Sequence, residues 1–169
     1  MELRNEFSHP VTLVLQRRMR QQQPWRYADW RLVAVLPANG EAAGDCRVLQ
    51  TGQDEQHFIW SGYSLRLYRD GLIAYYENLT GGQPMLYVLC HEDPRHGLLP
   101  VTVTADHSEA EAHMETGDTA LSMPLQPPVS QWVAQYILKH QDYLTQKVRT
   151  PQRKRSREPH GETPRPTSP

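Results

Sequence analysis

Cysteine is nearly missing from this chain: its 169 residues contain two, Cys46 and Cys90, with no CxxC pair. A disulfide framework and a zinc ribbon both need more thiols at closer spacing, so neither is supported. Long apolar runs are missing too. No stretch approaches the roughly 18 to 20 apolar residues that span a bilayer. The opening MELRNEFSHPVTLVLQRRMR also lacks the unbroken apolar core and small-residue cleavage site of a signal peptide. The protein is expected to be soluble, with no membrane span, and to stay in the cytoplasm where it is made. There is no GxSxG, no P-loop and no HExxH. With them go the common hydrolase, nucleotide-binding and zincin readings, and the chain is expected not to be an enzyme.

What is present divides by charge. Up to Val148 there are 12 Lys and Arg against 17 Asp and Glu, a net of −5; from Arg149 onward there are 6 against 2, a net of +4. The final stretch RTPQRKRSREPHGETPRPTSP has 5 of the 14 prolines and no aromatic residue. It cannot bury enough apolar surface to offset the entropy of ordering it. Residues 149–169 are therefore read as a disordered basic tail, residues 1–9 as a flexible N-terminus, and residues 10–148 as one domain, a length that supports a real core. The run RKRSR could meet phosphates, but without interleaved aromatics for base stacking it argues against nucleic acid as a specific partner.

The body is patterned mostly for strands. Val11 to Leu15 is a continuous apolar run, and Trp30 to Leu36 a second one stopped by Pro37 and the turn-forming ANGEAAGD. Phe58 and Trp60, then Leu65 and Leu67, then Ile73 and Tyr75 alternate on either side of Asp70-Gly71, a dipeptide suited to a tight hairpin. PMLYVLC after Gly81-Gly82, and LLPVTVTA, read as further strands. Helices follow. Asp106 or Ser108 can cap a short helix running to His113–Thr116 and stopped by Gly117. A longer helix starts at Pro127-Pro128, with Val129, Trp132, Val133, Tyr136, Ile137 and Leu144 at helical spacing. The expected fold is α+β: a mostly antiparallel sheet of about six strands, then a short helix and a longer C-terminal helix packed on one face. Trp30 and Trp132 are expected in the core.

The segment LCHEDPRHGLLPVTVTADHSEAEAH holds one cysteine, four histidines and five acidic residues. Metal ligands must converge, and these are poorly spaced for it. Cys90 and His91 are adjacent, so on a strand they point to opposite faces, while His107 and His113 are six apart and fall on different helix faces. No metal and no cofactor is expected; Cys90, His96, His107 and His113 form the ligand set of the alternative reading, a small metal- or cofactor-binding protein. Arginine and aromatic residues are the stronger signal. Trp25, Arg26, Tyr68, Arg69 and Tyr76 are the residues expected to form an exposed binding surface, because tryptophan, tyrosine and arginine dominate binding hot spots.

Three segments carry a resemblance: PWRYADWRLVAVLP from Pro24, LRLYRDGLIAYYENL from Leu65 and PVTVTADHSEA from Pro100, joined by MPLQPPVSQWVAQYILKH from Met123. Together they resemble a bacterial family catalogued as domain of unknown function 3305, over roughly residues 10 to 145 and without the tail. The resemblance implies an accessory role, since members of that family are encoded beside formate dehydrogenase genes in proteobacteria. The implied partner is a formate dehydrogenase subunit or maturation factor, and the implied role is maturation or assembly of that molybdenum or tungsten enzyme. Some members are assigned to molybdopterin guanine dinucleotide synthesis. That activity needs a glycine-rich phosphate loop opening a helix and acidic magnesium ligands, and ANGEAAGD opens no helix.

Overall fold

In FSHPVTLVLQRRMRQQ the side chains of Val11, Leu13 and Leu15 fall on one face and are fully buried, as alternation along a strand requires. The computed structural model describes residues 7–40 and 44–149. All of the expected tail after Arg149 lies outside the described residues. Strand β1 spans Phe7–Gln22, so it includes residues 7–9 and runs well past the expected Val11 to Leu15. It is followed by β2 (Trp25–Pro37), β3 (Cys46–Gly52), β4 (Glu55–Leu67), β5 (Met85–Asp93), β6 (Gly97–Thr104) and β7 (Thr119–Pro124). The strand order is β2-β1-β4-β6-β5-β7, with β3 paired to β4 off that path.

The sheet is mostly antiparallel, as expected, but mixed, with one parallel pairing. There are seven strands among the described residues, and β4 meets β6 in parallel at Leu65↔Val103. Gly62 explains how β4 changes neighbours. Its φ of +83° accompanies a register slip against β1 between Val11 and Leu13, a bulge that bends the strand. Before the bend the outer edge of β4 pairs with β3, as far as Cys46↔Trp60; beyond it the same edge meets β6. The sheet curls until its two ends nearly meet: Val33–Pro37 of β2 and Met123 and Pro124 of β7 line one crevice of about 110 Å³. The result is a nearly closed, barrel-like sheet.

The hairpin expected at Asp70-Gly71 is not there. Arg69–Gly71 is a single 3-10 turn leading into helix α1, Leu72–Thr80. The reason lies in period and in size. Leu72 and Tyr75 are buried while Ile73 and Tyr76 are exposed, a helical spacing that Ile73 and Tyr75 alone mimic as alternation. Gly71 sits at φ −89°, a conformation any residue adopts, so it is not a turn glycine. A Cβ there would lie 2.5 Å from the Tyr75 ring. The helices accordingly do not all come late. Helix α2 (His107–Glu115) does follow its expected limits: Asp106 accepts hydrogen bonds from Ser108 N and Glu109 N, and Gly117 takes φ +93°. The expected longer helix is two, α3 (Val129–Lys139) and α4 (Gln141–Arg149), with Leu144 on the second.

The core fills the curled sheet. Val11, Leu13, Leu15, Phe58, Trp60 and Leu65 meet Val88, Cys90, Val103 and Leu121 there, and Val129, Val133, Tyr136 and Ile137 of α3 close it. Trp30 and Trp132 pack against this cluster; the Trp30 ring lies 5.1 Å from Phe58, and Trp132 stacks on His9 at 3.7 Å.

Candidate functional site

The candidate ligands Cys90, His96, His107 and His113 are dispersed rather than gathered. Cys90 points into the core on β5, and burial pushes its thiol up to about 12, which leaves it a packed side chain instead of a nucleophile. His96, in the β5–β6 turn, bonds Asp93 Oδ2 through Nδ1 at 2.9 Å and stands edge-on to Trp60 at 5.0 Å. His107 is exposed on α2, with Nδ1 3.1 Å from Tyr87 Oη and Nε2 2.8 Å from Glu111. His113 faces the other way, to Asp118 Oδ2 at 2.9 Å. Among the described residues no group of three or more His, Cys, Asp or Glu side chains is placed to hold a metal ion.

Asp118 was not singled out from the sequence. It accepts from His113 on one oxygen and lies 2.5 Å from His91 Nδ1 on the other, so it ties β5 and α2 to the start of β7. The His113 hydrogen bond first, with His91 adding to it, holds the Asp118 carboxyl below its ordinary range. Nothing in local spacing marks this cluster, since His91 and Asp118 are 27 residues apart. Asn78 was missed for the same reason. Its amide donates to Met85 O at 2.7 Å and Ala105 O at 3.0 Å, and its carbonyl accepts from Met85 N, pinning the end of α1 to the start of β5 and to the residue that follows β6.

The arginine and aromatic residues separate into two groups. Leu67 pairs with Phe7 at one end of β1 and Trp25 pairs with Gln22 at the other. Fifteen strand steps at about 3.3 Å place Tyr68 and Trp25 roughly 50 Å apart along that strand. At the first end, Tyr68 donates its backbone N–H to Tyr75 Oη at 3.2 Å. With Ser64, Arg66, Thr102 and Glu109 it lines a cleft of about 420 Å³, where β4 and β6 part. Arg69 lies over Tyr143 at 5.6 Å, and Tyr76 is exposed on α1.

The second end is built differently. Strand β4 accompanies β1 only as far as Arg18↔Glu55, so Met19–Gln22 and Trp25–Ala28 continue as a two-stranded ribbon. Opposed residues of an antiparallel pair share a face. Trp25, Tyr27, Asp29 and Arg31 therefore lie on the outer face with Gln22, Arg20, Arg18 and Gln16, while Arg26, Ala28 and Trp30 face inward with Arg17. Trp25 is 73% exposed and Tyr27 45%. Ion pairs hold the arginines in place: Arg20 to Asp29 at 2.7 Å, Arg18 to Glu55 at 2.6 Å and Arg26 to Asp54 at 3.2 Å. The Arg20 hydrogen bond keeps Asp29 below the usual carboxylate range, and the Arg18 hydrogen bond does the same for Glu55. Arg17 bonds Gln56 and covers the Trp30 and Phe58 rings at 5.7 and 5.4 Å. Large apolar rings held in water beside fixed guanidinium groups are suited to recognition, because burying them on a partner costs little side-chain entropy.

Fold and site together define a small, sheet-rich α+β protein with a projecting aromatic ribbon, in which no described helix is long and apolar enough to cross a membrane. The chain belongs to the family described as Protein of unknown function (DUF3305), which matches residues 10–154. No curated protein and no solved structure matches it.

Proposed function

We propose that this protein is a non-catalytic accessory or interaction protein that serves the maturation or assembly of a formate dehydrogenase. It engages a subunit or maturation factor of that enzyme through the outer face of the β1–β2 ribbon. The observation that carries the reading is Trp25, 73% exposed beside Tyr27 and opposite the Arg20 strand. An isolated two-stranded ribbon is stabilised little by its own pairing, so rings of this size exposed on one are best explained by a surface that covers them. The resemblance to proteins encoded beside formate dehydrogenase genes supplies the partner class. Of the five residues expected at the surface, Trp25 and Arg26 belong to this ribbon, and Tyr68, Arg69 and Tyr76 to the far end of β1.

The test is affinity capture from extract of formate-grown bacteria, with the full chain as bait, compared with Trp25→Ala. Formate dehydrogenase subunits or maturation factors are expected with the parent chain and at least tenfold depleted with Trp25→Ala. Absence of these proteins from the parent capture, or equal capture by both chains, would overturn the proposal.

A further inference from the structure

The outer edge of β2 at the ribbon is an open ladder. Met19 N donates to Asp54 O at 2.8 Å, away from β2. Ala28 stands opposite Met19, so its own N–H and C=O turn outward as well, and by alternation those of Arg26 and Trp30 do too. Among the described residues β2 pairs with β1 alone. An exposed edge of this kind is a template for another strand.

The residues along it are self-complementary. In WRYADWR, Trp25 to Arg31, a two-fold axis at Ala28 sets Trp25 against Arg31, Arg26 against Trp30 and Tyr27 against Asp29 of a second copy. Each of those pairs joins an aromatic ring to a charged group, two of them ring with guanidinium. Neighbouring registers are worse. A slip of one residue sets outer-face side chains against inner-face ones, and an axis at Asp29 sets that carboxylate against itself.

A place for the incoming strand is also present. Ala28 and Trp30 look across a cleft of about 600 Å³ to Glu92 and Asp93 at the end of β5, to Pro94 in the β5–β6 turn and to Thr119 of β7. An Arg26 arriving opposite Trp30 enters that cleft beside Glu92 and Asp93. We propose that the protein forms a two-fold dimer by antiparallel pairing of the Trp25–Arg31 edges of two copies, each ribbon tip lying in the other's acidic cleft. The pairing leaves both outer faces open and joins them into one four-stranded platform with two Trp25 and two Tyr27 rings. It stands independently of the partner named above.

Sedimentation equilibrium of the full chain across a concentration series, with amide hydrogen exchange at its two ends, tests this. The expected result is a species of twice 19.5 kDa, with the amides of Arg26, Ala28 and Trp30 gaining protection as concentration rises, while those of Tyr27 and Asp29, bonded to β1, do not change. Ala28→Pro removes the central outward N–H and is expected to be monomeric with an unchanged circular dichroism spectrum. Should Ala28→Pro fail to fold, Arg26→Glu sets like charges in the cleft and is expected to weaken the dimer at least tenfold. A monomeric parent chain at 100 µM, a dimer undiminished by these substitutions, or protection arising elsewhere would each overturn the proposal.

Discussion

Gly71 occupies a position where a methyl group would stand 2.5 Å from the Tyr75 ring, and Tyr75 is only 2% exposed. The ring cannot swing away, because its hydroxyl accepts the Tyr68 N–H and its body is held in the core. Gly71→Ala therefore forces α1 off the core by a few tenths of an ångström or drives Tyr75 off its rotamer. We expect a loss of about 1–3 kcal/mol in urea unfolding. Gly82→Ala, where nothing lies within 4 Å of the added carbon, is the control and is expected to change stability by less than about 0.5 kcal/mol. The same residue shows what a sequence conceals at this scale. Asp-Gly is a common turn dipeptide, and only the ring four residues later reveals that this glycine is selected by lack of volume rather than by backbone freedom.

At the scale of elements, a short helix such as α2 needs tertiary partners to hold it; besides the contacts of His107 with Tyr87 and of Glu109 with Thr104, it is tied to the sheet through one carboxylate. Asp118 joins His91 of β5 to His113 of α2. Its folded value lies below the ordinary one, so its contribution is complete above the ordinary carboxyl range and is lost as pH falls through the folded value. Asp118→Asn is expected to lower the urea midpoint at pH 6, with the difference from the parent chain shrinking steadily below about pH 4. A difference that is constant from pH 6 to pH 3 would assign the effect to packing instead of charge. The limits of α2 were legible because its signals are local: Asp106 as cap, Gly117 as stop. Strand lengths were not, since Phe7–Gln22 is kept extended by β2 and β4, and polar runs such as QRRMRQQ have no apolar alternation of their own. Long-range ties such as Asn78 to Met85 and Ala105 are invisible for the same reason: they are decided by topology.

At the scale of the whole molecule, one joint decides whether the sheet behaves as one body. Strand β4 pairs antiparallel with β1 on both sides of the Gly62 bend, while its other edge pairs with β3 before the bend and meets β6 in parallel beyond it, with Leu65 opposite Val103. That joint links the β2-β1-β4 half to the β6-β5-β7 half; Tyr63 adds a strut by donating its hydroxyl to Pro100 O at 2.8 Å. Leu65 is fully buried at the joint, in the same core cluster as Leu13 from one half and Val88 from the other. Leu65→Ala removes three carbons where neither half can relax without parting from the other, so a cost of about 2–5 kcal/mol is expected. That is a large share of the roughly 5–15 kcal/mol that keeps a domain folded. Because the core is shared, the loss should appear as one earlier transition, with far-ultraviolet circular dichroism and tryptophan fluorescence in guanidinium remaining coincident. If the two signals separate in Leu65→Ala, with amides of β5 exchanging before those of β1, the halves are independent units joined at an edge, and the barrel's closure between β2 and β7 is what holds them together.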